Sequence, residues 1–305
     1  MTSTDESGNE RAPRQVGTSS EDYDAYYYSH YSGPTYDVNE PHWIEFFGRL
    51  ADRLISLLEP KTSLDAGCAK GILVGSLVAR GVDAHGIDVS EHAIENGDPR
   101  AAGRLRVQDL TKPIEGRYDM VTCIEVIEHL SPGDAELALD NLCAVTDRIV
   151  LTTTPFDLRD VTHVNVRLPQ QWAAMMAERG FFRRADVDIA FIAPWAVMFQ
   201  RGNKTVRESV FDYEAVVSWA MIEVAEKRSR GLELARELAK AEKQLAALGY
   251  APDGSAVGAG ELVAARERAA TAEKKLRAVT ASKTYKVGRV VTSPLRAARN
   301  LRGRR

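Results

Sequence analysis

Two hydrophobic periods alternate along the chain from about residue 40. HWIEFFGRLADRLISLLEP, residues 42–60, carries apolar residues at helical spacing and stops before Pro60. TSLDA reads as a short strand, GILVGSLVARG as a helix ending at Gly81, and DAHGIDV as a second strand. SEHAIENG starts a helix capped by Ser90, and GRLRVQD and YDMVTCIEV read as the third and fourth strands. SPGDAELALDNLCAV follows as a helix with Ser131 as cap and Pro132 at its first position. RIVLTTTP is a fifth strand and LPQQWAAMMAERG a helix closed by Gly180. FFRRADVDIAFIAPWAVMFQR can supply a closing pair of strands. Short strands alternating with helices predict an α/β fold, with a doubly wound, mostly parallel, seven-stranded sheet.

Beyond Asn203 the pattern turns helical throughout. Residues 204–250 are rich in Ala, Leu, Glu and Lys, residues 251–260 break the run, and residues 261–305 hold a second helix and a basic tail. The expectation is a helical C-terminal appendage, either solvated or paired as a hairpin or coiled coil with imperfect heptads. Such helices also offer a route to a homodimer.

Composition adds four points. The apolar fraction is 44%, and no run of 18 or more apolar residues suggests a membrane span. Residues 1–20 are polar and rich in Gly, Ser and Thr, which reads as a disordered leader rather than a secretory signal. Cys68, Cys123 and Cys143 lack C-x-x-C spacing, so a reducing, cytoplasmic setting fits better than a disulfide framework or a zinc site. The net charge of -3 hides an asymmetry, because residues 261–305 carry 13 Lys/Arg against 3 Asp/Glu. An acidic body with a basic tail suggests different partners at the two ends. The tail can meet an acidic protein or, as a short amphipathic segment, a membrane surface, whereas no reading motif for a specific nucleic acid appears.

The chemistry-bearing residues fall at predicted strand ends, where parallel sheets bind ligands. SLDAGCAKGIL, residues 63–73, runs from a strand through a small-residue turn into a helix. Its glycines, Gly67 and Gly71, lack the dinucleotide G-x-G-x-x-G spacing, and Cys68 and Ala69 stand between them. Asp65 before the turn suits an ammonium group better than a pyrophosphate. Asp88 and Val89 end the second strand, 21 residues after Gly67 for the acid, where an acid meets ribose hydroxyls. Asp109 and Leu110 follow the third strand, and Glu125 lies in IEVIEHL after the fourth.

In this order DAGCAKG, GIDVS, VQDL and YDMVTCIEVIEHL resemble the successive motifs of class I S-adenosylmethionine-dependent methyltransferases, over roughly residues 36–201. The resemblance implies a Rossmann-like fold and S-adenosyl-L-methionine as cofactor. It maps the methionine end onto Asp65 and Gly67, the ribose onto Asp88 and the adenine onto Asp109, with Cys68, Ala69, Gly71, Val89, Leu110 and Glu125 as further cofactor contacts. Ala69 departs from the usual middle glycine. A softer resemblance links the tyrosine-rich entry, the DAGCAKG variant and the tail SKTYKVGRVVTSPLRAARN to bacterial methyltransferases associated with glycan assembly.

That resemblance implies O-methylation of a saccharide or glycan intermediate, with a quinone or polyketide type of acceptor as the alternative. A non-catalytic scaffold acting through the C-terminal helices is the third reading. His163, past the fifth strand, is the candidate base, with Asn165 orienting the acceptor and His129 packing beside the cofactor. Asp160 and His163 are two conceivable ligands for a divalent cation, but no fuller set appears and no metal is expected. Six of the ten tyrosines lie between Tyr23 and Tyr36, and Tyr28 and His30 are candidates for a lid that touches the acceptor.

Overall fold

The computed structural model describes residues 23–24, 27–28, 36–157, 160, 162–248 and 259–282. His30, the leader, residues 249–258 and the basic tail from residue 283 therefore lie outside the described residues. The chain divides into two compact units, residues 1–206 and 207–305.

The first unit opens with α1 (Pro41–Leu58), whose Leu50, Ala51, Leu54 and Leu58 are buried along one face. Then come β1 (Thr62–Ala66), α2 (Ile72–Val78), β2 (Asp83–Asp88) and α3 (Glu91–Glu95). The Ser90 hydroxyl accepts the Ala93 N–H at 3.0 Å and so caps α3. Next are β3 (Leu105–Val107), β4 (Met120–Ile124), α4 (Pro132–Val145), β5 (Arg148–Thr152) and α5 (Pro169–Glu178), and β6 (Phe181–Arg183) and β7 (Val197–Arg201) close the unit. The strands form one seven-stranded sheet in the order β3-β2-β1-β4-β5-β7-β6. The first five pair in parallel, and β7 runs antiparallel between β5 and β6.

Strand periodicity divides the core into two layers. Val121, Cys123, Ile149, Leu151, Val197 and Phe199 face the layer that holds Leu139, Leu142, Trp172 and Met176. Their neighbours Met120, Val150 and Met198 face the opposite layer, with Leu54, Leu73 and Leu77. Burial on both faces is why these strands read as nearly continuous apolar runs. The strand order reverses between β1 and β4, and this reversal opens a crevice beyond their carboxyl ends.

The second unit holds α6 (Val206–Leu248), which starts at the boundary, and α7 (Ala259–Ala281). Among the described residues no helix is long and apolar enough to cross a membrane.

Candidate active site

The turn after β1 is fixed before any ligand is considered. Gly67 and Cys68 both donate their N–H groups to the Ile87 carbonyl, at 2.8 and 3.0 Å, which draws the turn against the end of β2. Gly67 has φ +76°, and a Cβ there would lie 2.4 Å from Cγ2 of Val126. Ala69 takes φ +48°, left-handed backbone without the glycine that favours it. Its N–H is held by Asp88 Oδ2 at 2.7 Å, and Ser90 donates to the other oxygen at 2.9 Å. Burial raises the Asp88 carboxyl above its ordinary range, and these N–H bonds oppose the rise.

Asp65 is buried at the end of β1 and accepts the Thr122 hydroxyl at 2.6 Å. Burial pushes its carboxyl up to about 7, so at neutral pH it sits at the edge of ionisation and favours a cationic partner. Asp109 accepts both the N–H and the hydroxyl of Thr111, each at 2.8 Å.

Across the reversal, Glu125 leaves β4 with φ +54°. Its N–H is held by the Thr152 carbonyl at 3.0 Å and the Thr152 hydroxyl at 3.1 Å. The Trp195 indole donates to Glu125 Oε1 at 2.9 Å. Below it, Glu128 is fully buried, and its Oε1 accepts the Thr154 N–H at 3.1 Å. Burial first, and then the neighbouring Glu125 charge, push Glu128 up to about 8.

Two imidazoles stand together, with ring centroids 4.7 Å apart. His129 Nδ1 lies 3.2 Å from the Thr162 carbonyl, and His163 Nδ1 lies 2.9 Å from the Asp157 carbonyl. A carbonyl only accepts, so in each ring Nδ1 carries hydrogen and Nε2 of the neutral tautomer is the proton acceptor. Burial lowers His129 to about 4, with the nearby His163 adding to the effect. His163 Nε2 is 3.8 Å from Asp160 Oδ2.

One cavity of about 680 Å³ collects these groups. It is lined by Asp65, Gly67, Cys68, Ala69, Asp88 and Val89 on the β1–β2 side, and by Asp109, Leu110, Glu125, His129 and His163. Tyr28 also lines it, together with Tyr23, Tyr27 and Tyr36. Lys70 donates to the Tyr36 carbonyl at 3.2 Å and lies 3.4 Å from Asp37, and the Ser90 hydroxyl donates to the Tyr23 carbonyl at 2.6 Å. These bonds tie the entry segment to the rim.

Two of the expected contacts are not among the residues that line the cavity. Gly71 does not line the cavity. Its φ of +67° starts α2, and a Cβ would meet Leu105 at 2.7 Å, so it serves packing. Asn165 is likewise not a lining residue. It is buried, donates its N–H to the Glu128 carbonyl at 2.9 Å, and accepts from Arg167 at 2.7 Å. Among the described residues no group of three or more His, Cys, Asp or Glu side chains is placed to hold a metal ion.

The cavity also includes residues the sequence did not single out. Trp43, Phe46 and Phe47 come from α1, and Ile192, Ala193, Pro194 and Trp195 from the connection between β6 and β7. The three aromatics lie at i, i+3 and i+4, a spacing that marks a helix face without saying what it meets. The connection carries no local signal, because its place depends on which strand β7 pairs with.

Comparison with known proteins agrees with this geometry. A family model described as a methyltransferase domain matches residues 41–187. A ubiquinone biosynthesis O-methyltransferase of Dechloromonas aromatica (strain RCB) is 32% identical over 129 residues, covering 39% of this chain and 53% of the relative. One named alike from Nitrosomonas europaea is 37% identical over 87 residues, covering 26% of this chain and 37% of the relative. The chain thus spans about half or less of the length of these relatives. Among solved structures, an S-adenosylmethionine-bound amino pentose methyltransferase from Micromonospora echinaspora, involved in calicheamicin biosynthesis, has 15% identity and a TM-score of 0.45. That match covers 52% of this chain and 92% of the other. The strand order and the acids at the strand ends fall together with the segment, just under half of the chain, that matches a methyltransferase domain.

Proposed function

We propose that the protein transfers a methyl group from S-adenosylmethionine to a hydroxyl of a small, ring-bearing acceptor. The observation that carries this reading is the convergence of Asp65, Asp88 and Asp109, from the ends of three neighbouring strands, on one cavity. The donor set fits the cofactor. Asp65 is a buried carboxyl with no ion-pair partner among the described residues and suits the ammonium of the methionine end. Asp88 is anchored by backbone N–H groups and retains acceptor capacity for ribose hydroxyls. Asp109, Val89 and Leu110 line the same cavity and are the residues that would hold the adenine. When bound, the cofactor supplies an electrophilic methyl on a positively charged sulfur.

The protein's own part is alignment and proton removal. His163 Nε2 accepts the proton of the acceptor hydroxyl, and the Asp157 carbonyl holds the ring in the tautomer this needs. The aromatic residues from α1 and the entry segment line the cavity and give it apolar walls.

An apolar ring as acceptor is supported by Trp43, Phe46, Phe47, Ile192 and Trp195 in the lining, and by the names of the two relatives above. A saccharide acceptor is the second reading, favoured by the tyrosines and by Asp157 and Asp160 in the same cavity. Calorimetry with S-adenosylmethionine, then mass spectrometry of methyl transfer to catechol and to methyl glucoside, tests both. No cofactor binding sinks the methyl-transfer reading in favour of a non-catalytic scaffold. Transfer to the glucoside alone reverses the order of acceptors.

A further inference from the structure

Residues 192–195, in the connection between β6 and β7, form one wall of the cavity. The outer side of this segment is packed down. Val187, Ile189, Phe191, Ile192 and Ala196 join the core layer of α1 and α2, and Arg53 stacks over Phe191 at 4.7 Å. On the cavity side the wall meets β4 through the bond from the Trp195 indole to Glu125. Glu125 is itself held in left-handed backbone by two bonds from its N–H to Thr152. Such backbone persists where its surroundings enforce it, and it clusters at binding sites.

The sheet order locates the wall. Asp65, Asp88 and Asp109 belong to β1, β2 and β3, on one side of the reversal, whereas Trp195 precedes β7, which pairs with β5 on the other side. The indole therefore stands at the acceptor end. We propose that Trp195 sets acceptor specificity, its indole forming the wall against which a flat aromatic acceptor lies, with Glu125 as the residue that fixes its position. This rests on the reading of the cavity as a methyl-transfer site. The indole offers a face to a planar ring, and its N–H is engaged by Glu125 and unavailable to a sugar hydroxyl.

The test uses the full chain, labelled with ¹⁵N and saturated with S-adenosylhomocysteine, with catechol and methyl glucoside as probes. The four tryptophans give four indole N–H signals, and Trp195→Phe identifies the one from Trp195. Catechol is expected to move that signal and methyl glucoside to leave it in place. Removing a hydrogen bond to a charged group weakens catechol binding roughly tenfold in Trp195→Phe, with S-adenosylhomocysteine binding unchanged. In a Glu125→Ala background the same replacement weakens binding less, because the bond is already gone and only the change of ring remains. Should Trp195→Phe fail to fold, Glu125→Ala alone reads the bond, since it must shift the Trp195 signal of the folded protein. A Trp195 signal indifferent to catechol, or equal weakening of both ligands, overturns the assignment. Absence of S-adenosylhomocysteine binding overturns the methyl-transfer reading itself, an outcome read separately from the Trp195 signal.

Discussion

Asp88 accepts the backbone N–H of Ala69 at 2.7 Å, so the carboxylate that ends β2 also holds the turn that follows β1. The bond explains how alanine occupies a left-handed position. The N–H is fixed from the next strand, and the methyl group is small enough to be carried there. Replacing Asp88 with Ala removes the acceptor for Ala69 and Ser90 together. Bonds to a charged group contribute about 1.5–3 kcal/mol each, so S-adenosylmethionine affinity is expected to fall by roughly 100-fold or more. Calorimetry reads the change, and unaltered affinity refutes the role.

Glycine at the two turn positions has opposite consequences. Ala69→Gly releases left-handed strain of about 1 kcal/mol, which raises the melting midpoint of a domain this size by roughly 2–4 °C. Gly67→Ala places a Cβ against the branched side chain of Val126 and is expected to destabilise by about 1–3 kcal/mol. Thermal melts of both variants decide the matter. A lower midpoint for Ala69→Gly contradicts the strain.

Asp65 and Glu128 both hold their protons more tightly in the folded chain than a free carboxyl does, to about 7 and about 8. The folded state therefore binds more protons than the unfolded state between the ordinary carboxylate range and those values. Stability gained from protonation is present at low pH and lost as pH rises through about 7 and 8. Glu128→Gln keeps an oxygen for the Thr154 N–H and removes one titration. It should flatten the decline above pH 7 and melt higher than the parent at pH 8. Parallel stability curves for the two proteins refute the buried acid.

The same reasoning links the cofactor to protons. Below about pH 7 Asp65 must lose its proton before it can pair with an ammonium group, so S-adenosylmethionine affinity rises with pH up to that value. In Asp65→Asn the dependence disappears and the affinity is low throughout. Titrations across pH 5.5–8 with the parent and the variant measure this. A flat profile in the parent shows that Asp65 is ionised before binding.

Removing the proposed base has a kinetic signature. His163→Ala is expected to lower turnover by roughly 10²–10⁴ while leaving cofactor affinity intact. Near-normal turnover on an accepted substrate removes His163 from the role. His129 lies at about 4 and is neutral at physiological pH, so the ionisation of His129 should not appear in the rate profile near neutrality.

What the sequence determined by itself is the order of elements and three acids that line the cavity. Strand and helix periods differ, the caps at Ser90 and Ser131 are local, and Asp65, Asp88 and Asp109 each follow a readable strand. Ala69 looked like a departure from the glycine pattern, and only the bond from Asp88, a strand away, shows why it is tolerated. Gly71 and Asn165 read as ligand contacts because their positions are near the motifs. A Cβ at Gly71 would meet Leu105, and Asn165 is buried with its N–H bonded to the Glu128 carbonyl; such packing is not visible along a chain. The place of residues 192–195 in the cavity wall is decided by tertiary structure alone. Inserting β7 antiparallel beside β5 carries these residues to the cavity, and pairing between strands separated by some fifty residues has no local sequence signature.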